Sequence, residues 1–88
     1  GGVNVAVAGV EDLLLGACDD ACVLASDDEA WGSRLSAYVV GGPSDDHLAA
    51  LVGDALGRPA VPRAWVRLDA IPHLPNGKPD RDTLRTLT

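Results

Sequence analysis

The sequence predicts an α+β domain in which a small, mainly antiparallel sheet of three strands is flanked by helices. Two observations support this fold class. Two segments place apolar residues at helical spacing, and three short runs are rich in the aliphatic residues typical of strands. Glycine, proline and paired acidic residues separate these segments. At 88 residues the chain is one small domain, residues 1–88, which buries about 60–65% of its unfolded surface.

The first half of the chain is predicted to form one helix and two strands. Apolar residues at i, i+3 and i+7 indicate an amphipathic helix over residues 6–17. Short aliphatic runs at residues 21–25 and 35–40 favour two strands. The polar residues 27–33 separate them, as a connection at the surface requires.

The second half is predicted to form a helix, a strand and a short final helix. The Gly-Gly-Pro sequence at residues 41–43 interrupts the chain, Ser44 suits a helix N-terminus and Gly57 a helix end. A third strand is expected at residues 65–68. The apolar faces consist of Leu48, Leu51, Val52, Ala55 and Leu56 in the longer helix, and of Leu84 and Leu87 in the last one.

The charge of the chain excludes some partners. A net charge of −6 argues against nucleic acid and against an anionic membrane surface, because phosphate groups repel such a protein. No run approaches the roughly 20 apolar residues of a membrane span, and we expect no signal peptide and a cytoplasmic protein. The paired acids at residues 19–20, 27–28 and 45–46 fall in predicted turns and helix starts, where solvated edges are expected rather than a metal site.

The two cysteines do not indicate a redox or zinc site. Cys18 and Cys22 are separated by three residues, which fits neither a Cys-x-x-Cys pair nor a zinc site completed by histidines. Cys22 lies in an apolar run and is interpreted as a small buried hydrophobic residue rather than as half of a disulfide.

The segment Pro-Asn-Gly-Lys-Pro-Asp-Arg at residues 75–81 carries the strongest functional signal. Its proline and Asn-Gly pair predict a tight turn, with Gly77 available for positive φ. Asp80 suits the N-cap of the last helix. Lys78 is thereby held at the tip of a loop, where its ammonium can reach a partner outside its own domain. The alternative is an ordinary surface turn with a solvated lysine.

This segment resembles the lysine motif that closes enzymes of the adenylate-forming superfamily, which is roughly Pro-x-x-Gly-Lys-(apolar)-Asp-Arg. Here a proline fills the apolar position, and one residue rather than two separates Pro75 from Gly77. Further matches follow in the family order across the chain. Gly-Gly-Val-Asn-Val at residues 1–5 precedes Val-Glu at 10–11, Asp-Glu-Ala-Trp-Gly at 28–32 precedes Ala-Tyr-Val-Val at 37–40, and Val-Pro-Arg stands at 61–63. The resemblance covers essentially the whole chain and implies the C-terminal lid domain of such an enzyme.

The resemblance implies a two-step reaction. A small carboxylic acid is joined to the AMP portion of ATP with release of pyrophosphate, and the acyl group then passes to a thiol, commonly coenzyme A. Lys78 would stabilise the charge of the first step. Gly77, Asp80 and Arg81 would position its loop. ATP and Mg²⁺ would be bound mainly by a large N-terminal domain, the partner of this one.

Gly2 matches the family glycine that borders the pantetheine arm of the thiol, although a simple Gly-Gly turn explains the local sequence equally well. His73 neighbours the lysine segment, but its position varies in residue type within the family pattern, and no catalytic role is assigned to it. The phosphate loop, the acyl pocket and the hinge residue are absent from these 88 residues. We therefore expect the isolated chain to be inactive.

Within the superfamily, Gly-Gly-x-Asn is more similar to acyl-CoA ligases than to the adenylation domains of peptide synthetases. The short, degenerate segment at residues 57–62 resembles o-succinylbenzoate–CoA ligases of menaquinone synthesis. The alternatives are another aryl- or fatty-acid–CoA ligase, a peptide-synthetase adenylation domain, and a non-catalytic acidic interaction module that shares the fold.

Overall fold

A computed structural model describes residues 4–28 and 32–87 and confirms the predicted α+β fold. The sheet packs between two helices on one face and the C-terminal segment on the other. The elements are, in order, α1 (Asn4–Ala17), β1 (Asp20–Asp28), β2 (Gly32–Val40), α2 (Asp45–Leu56), a 3-10 turn (Arg58–Ala60), β3 (Ala64–Arg67) and α3 (Arg81–Arg85).

The sheet has the strand order β1-β2-β3 and is mostly antiparallel, as predicted. β1 and β2 pair antiparallel over nine residues each, from Asp20 opposite Val40 to Asp28 opposite Gly32. β3 pairs parallel to β2, with Ala64 opposite Ser36. A parallel neighbour requires a crossover connection, and α2 with the 3-10 turn supplies it.

Alternate residues of β1 and β2 enter two separate hydrophobic clusters, because successive side chains of a strand point to opposite faces. One cluster, which we call the helix-side cluster, lies between the sheet and helices α1 and α2. The other, the loop-side cluster, lies between the sheet and the C-terminal segment. The helix-side cluster consists of Val10, Leu14, Ala21, Val23, Leu35, Ala37, Val39, Leu48 and Val52, and the loop-side cluster of Cys22, Leu24, Tyr38, Ile71 and Leu84.

Side chains form hydrogen bonds with backbone N–H and C=O groups of β1, which is an edge strand of the sheet. The N–H of Val23 donates to Oε2 of Glu11 on α1 at 2.9 Å, and the N–H of Ala21 donates to Oδ1 of Asp20 at 2.9 Å. Nη1 of Arg85 donates to the carbonyl oxygen of Ala25 at 3.4 Å. These bonds connect α1 and α3 to the same strand. They also satisfy backbone groups that an edge strand would otherwise leave without a partner.

Arg67, the last residue of β3, fixes the connection between β2 and α2. Its Nε donates to Oδ1 of Asp45 at 2.9 Å, its Nη1 to the Gly41 carbonyl at 3.1 Å, and its Nη2 to the Pro43 carbonyl. Both side chains of the ion pair are partly exposed, so its Coulomb energy is small. The three bonds instead restrain the loop that precedes α2.

Some local expectations are wrong. Asp20, Asp27 and Asp28 belong to β1 rather than to turns, because both strands of the hairpin extend beyond their apolar runs. Leu56 and Leu87 are expected on buried helix faces, but each is 45% exposed, since each lies at or beyond the last turn of its helix.

Candidate functional site

The segment around Lys78 is a small hairpin, which we call the lysine loop (residues 72–80). The Leu74 N–H donates to the Lys78 carbonyl at 2.7 Å, and the Gly77 N–H donates to the Leu74 carbonyl at 2.9 Å. Gly77 has φ of 88°, whereas no non-glycine residue in the described part of the chain has positive φ. This combination fits a turn with Pro75 at its second position, followed by a glycine in the left-handed region.

Both ends of the lysine loop are held in place. The Asp80 N–H donates to the Pro72 carbonyl at 2.8 Å, and an antiparallel bridge joins His73 to Pro79. Ile71, directly before the loop, is 4% exposed, and Leu84, in α3 after it, is 0% exposed; both belong to the loop-side cluster. The lysine loop therefore projects from two buried anchors.

Asp80 is the N-cap of α3, as its position in the sequence predicts. Its Oδ1 accepts the Thr83 N–H at 3.1 Å, and its Oδ2 accepts the Thr83 hydroxyl at 2.9 Å. Both carboxylate oxygens are thus engaged within the helix start. Arg81, the first residue of α3, is exposed. The structure accordingly places Asp80 at the end of the lysine loop and Arg81 directly after it.

Lys78 presents an exposed side chain on a restrained backbone. Its N–H donates to Oδ1 of Asn76 at 3.0 Å, and its carbonyl accepts the bond from Leu74. Among residues 4–28 and 32–87, Lys78 forms no ion pair. An ammonium in this position retains three donors and a full positive charge for a ligand that approaches from outside.

The other titratable candidates lie apart from this geometry. His73 is exposed, and His47 is exposed in the first turn of α2. Cys18 and Cys22 are free thiols. Burial raises the pKa of the Cys22 thiol above its ordinary value, and the Glu11 carboxylate raises it further. Both effects disfavour the reactive thiolate.

An open groove on the described surface has a volume of about 630 Å³. It lies beside α2 and includes Gly53, Arg58 and Pro62, but none of its lining residues belongs to the lysine loop. No group of three or more His, Cys, Asp or Glu side chains in the described regions could hold a metal ion. None of the helices seen there has the length and apolar character of a membrane span.

Several contacts of the structure have no counterpart among the sequence predictions, and two of them involve the side chains of Glu11 and Asn76. The bond from Val23 to Glu11 explains why an acid follows the fully buried Val10 in α1. The sequence predicts a turn at Asn76 but not its bond to Lys78; an asparagine two residues before a lysine is the signal that would have suggested it. Gly2, the predicted residue on the thiol side, lies outside the described residues.

The profile of the AMP-binding enzyme C-terminal domain family matches residues 10–78. The chain belongs to this family, and it is the C-terminal domain of an adenylate-forming enzyme. The match includes both Gly77 and Lys78.

Curated relatives and solved structures of several enzyme types are similar to this chain. It is 42% identical over 72 residues to a linear gramicidin synthase from Brevibacillus parabrevis and 38% identical over 68 residues to a dimodular nonribosomal peptide synthase from Bacillus subtilis, covering 77% and 75% of the chain. Amide bond synthetase McbA from Marinactinospora thermotolerans superposes with a TM-score of 0.83 at 36% identity over 91% of the chain. An o-succinylbenzoate CoA synthetase from Bacillus subtilis superposes with a TM-score of 0.79 at 28% identity over 91% of the chain.

The chain is much shorter than these proteins. It spans 1% and 3% of the two curated relatives and 18% and 17% of the two solved chains. The activity of a whole enzyme therefore rests on regions that these 88 residues do not contain.

Proposed function

We propose that this chain is the mobile, lysine-bearing lid of an enzyme that activates a small carboxylic acid with ATP and then forms a thioester with coenzyme A. The observation that supports the proposal most directly is the state of Lys78. Its backbone is hydrogen-bonded within an anchored hairpin, while its side chain is exposed and forms no ion pair with described residues. This is the arrangement expected of a cation that one domain delivers to another.

The first step needs such a cation. A carboxylate oxygen attacks the α-phosphorus of ATP, an O–P bond forms, and the bond to pyrophosphate breaks. Two anionic groups approach each other, and negative charge grows on the phosphate oxygens. The Lys78 ammonium, placed between them, offsets the repulsion and stabilises the developing charge. Gly77, Asp80 and Arg81 act by holding the loop and the start of α3 and do not touch the substrate.

The remaining ligands are assigned to the large N-terminal domain. No His, Cys, Asp or Glu cluster of the described residues could hold Mg²⁺. The lysine loop offers the triphosphate one ammonium rather than a phosphate-binding loop. We therefore assign Mg²⁺, the adenine of ATP and the acyl pocket to that partner domain, which would work with this one in the cytoplasm, where ATP and coenzyme A are available.

The second step is assigned to the opposite end of the chain. After adenylation the lid rotates, and the segment at Gly2 replaces the lysine loop at the reacting centre. A glycine there leaves room for the pantetheine arm, whose thiol attacks the acyl carbonyl and displaces AMP.

The acceptor thiol distinguishes two candidate functions. The first is a CoA ligase, with o-succinylbenzoate of menaquinone synthesis as the specific acid, and the similarity to a solved o-succinylbenzoate CoA synthetase supports it. The second is an adenylation domain of a peptide synthetase, and the higher identity to two curated peptide synthetases, 38% and 42%, favours it. Both candidates share the same first step.

The test separates the two half-reactions in the full-length protein that contains this chain. ATP–pyrophosphate exchange over a panel of carboxylic acids and amino acids measures adenylation, and a synthetic acyl-adenylate offered to coenzyme A or to a carrier-protein thiol measures transfer. Lys78→Ala should lower exchange about 10²–10³-fold and leave transfer nearly unchanged. Lys78→Arg should restore little, because a planar guanidinium differs in shape from an ammonium.

Controls make the result specific. Arg58→Ala removes an exposed positive charge from the 3-10 turn, outside the lysine loop, and should leave both half-reactions intact. Gly2→Leu should give the opposite pattern to Lys78→Ala, with normal exchange and failed transfer. Equal loss of both half-reactions in Lys78→Ala would refute the assigned role, and no loss in either would favour the interaction module. The 88-residue chain alone should show no exchange.

A further inference from the structure

Gly77 is the position where the lysine loop has the most freedom. A Cβ placed on Gly77 would meet no atom within 4 Å, so no neighbouring group restricts this residue sterically. Without a side chain, its two backbone torsions have a wide range of allowed values. Because Lys78 follows directly, those torsions set the direction in which its side chain leaves the loop.

Three hydrogen bonds restrain the backbone around Gly77. The Gly77 N–H donates to the Leu74 carbonyl at 2.9 Å, and the Leu74 N–H donates to the Lys78 carbonyl at 2.7 Å. The third bond crosses Gly77 itself, from the Lys78 N–H to Oδ1 of Asn76 at 3.0 Å. The first two bonds involve backbone atoms alone and tolerate most side chains. The third depends on the side chain of Asn76.

A small rotation at Gly77 has a large effect at the ammonium. The Lys78 nitrogen lies about 6 Å from its Cα when the side chain is extended, so a rotation of about 20° displaces it by about 2 Å. A misplacement of about 1 Å can cost a reaction as much as 10²-fold in rate.

We propose that Asn76 is a positioning residue for Lys78, which restrains the lysine backbone so that the ammonium reaches the α-phosphate oxygens during adenylation. This role rests on the function proposed above. It also predicts that Asn76 acts only in the half-reaction that uses Lys78.

The geometry of the turn makes the role testable by substitution. Asn76 does not have positive φ, so its backbone conformation is one that alanine adopts without strain. Asn76→Ala therefore removes the side-chain acceptor and leaves the turn in place. Asn76→Ser keeps a shorter acceptor that can make the same bond more weakly.

The experiment measures both half-reactions in the full-length protein with the acid that gives the fastest exchange in the panel. A single hydrogen bond of this kind corresponds to a change of about three- to tenfold in rate. Asn76→Ala should therefore lower the kcat of pyrophosphate exchange by that factor, with transfer from the synthetic adenylate unchanged. Asn76→Ser should recover part of the loss. Asp46→Ala, an exposed substitution in the first turn of α2, serves as the control and should leave both rates intact.

A double mutant distinguishes positioning from other effects. If Asn76 acts through Lys78, then Asn76→Ala in the Lys78→Ala background should cause no further loss. Hydrogen exchange of the Lys78 amide in Asn76→Ala should become faster, while the melting temperature stays within a few degrees. These two results support the role even if the rate change is at the lower end of the range.

Different results would contradict the role of Asn76 alone and the proposed function as a whole. A normal exchange rate in Asn76→Ala, with a strong defect in Lys78→Ala, would overturn the positioning role and leave the proposed function intact. An equal further loss in the double mutant, or a loss of transfer as well, would also overturn it. If Lys78→Ala itself exchanged normally, the proposed function and the role of Asn76 would fail together.

Discussion

Leu84→Ala tests the packing that holds the lysine loop. Leu84 is fully buried in the loop-side cluster, and it is the one buried residue of the five-residue helix α3. Truncation removes about 1.5–3 kcal/mol of apolar burial and adds the cost of a cavity. A helix this short has little stability of its own and can shift to fill part of the space. We expect a loss of about 2–4 kcal/mol, a large share of the total for a domain of this size.

Urea unfolding followed by tryptophan fluorescence measures this loss, since Trp65 packs against the helix-side cluster and reports global unfolding. Leu87→Ala is the matched control: the same substitution three residues further on, at a side chain that is 45% exposed, should change stability by less than about 0.5 kcal/mol. Hydrogen exchange at Gly77 should also accelerate in Leu84→Ala. Equal effects of the two substitutions would show that α3 does not dock as described.

Two further outcomes are expected. Glu11→Ala leaves the Val23 N–H unpaired on the edge strand, so it should lower the free energy of unfolding by about 1–2 kcal/mol. It should also increase self-association, as measured by light scattering. Neither effect is expected for Glu11→Gln, which keeps an acceptor, or for Asp12→Ala at the exposed neighbouring residue. Since burial raises the pKa of Cys22 in the folded state, stability should decline from about pH 8.5 upward as the unfolded thiol ionises first. Cys22→Ala should flatten the dependence of the urea midpoint on pH between about pH 8 and pH 9.5, and an unchanged slope would contradict the assignment.

The fold class could be predicted because local signals and packing agree along most of the chain. The cap at Ser44 and the terminating Gly57 bracket α2 within one residue, and the buried Leu48 and Val52 lie on its predicted apolar face. The apolar run at residues 35–40 in β2 is equally consistent with the structure, because clusters cover both faces of this strand. The turn at Gly77 could be predicted because a glycine after Pro-Asn has a specific conformational use.

The remainder depends on contacts that no local pattern contains. The four residues of β3 do not reveal whether this strand runs parallel or antiparallel to β2. The helix between the two strands is nevertheless a usable sign that the pair is parallel. The acids at Asp27 and Asp28 are unfavourable in a strand by propensity, yet hairpin pairing extends through them. Glu11 and Arg85 reach β1 from distant positions in the sequence, which only the tertiary structure brings together.

The conformation of the lysine loop could be predicted in part, since the turn at Gly77 and the cap at Asp80 have local signals. The charge-stabilising role of Lys78 is implied by the resemblance to the lysine motif and stays a prediction. The bond from the Asp80 N–H to the Pro72 carbonyl has no sequence signature. The bond from the Lys78 N–H to the Asn76 side chain has one, the asparagine two residues before the lysine, but the sequence predictions did not include it.

The segment from Ile71 to Leu84 combines a closed loop with two buried ends. Hydrogen bonds within the segment close the lysine loop, and Ile71 and Leu84 both enter the loop-side cluster. We expect that this segment can be exchanged between related domains that offer a similar pocket for each of the two side chains. Substitutions elsewhere that leave this cluster intact should then leave the orientation of the lysine loop unchanged.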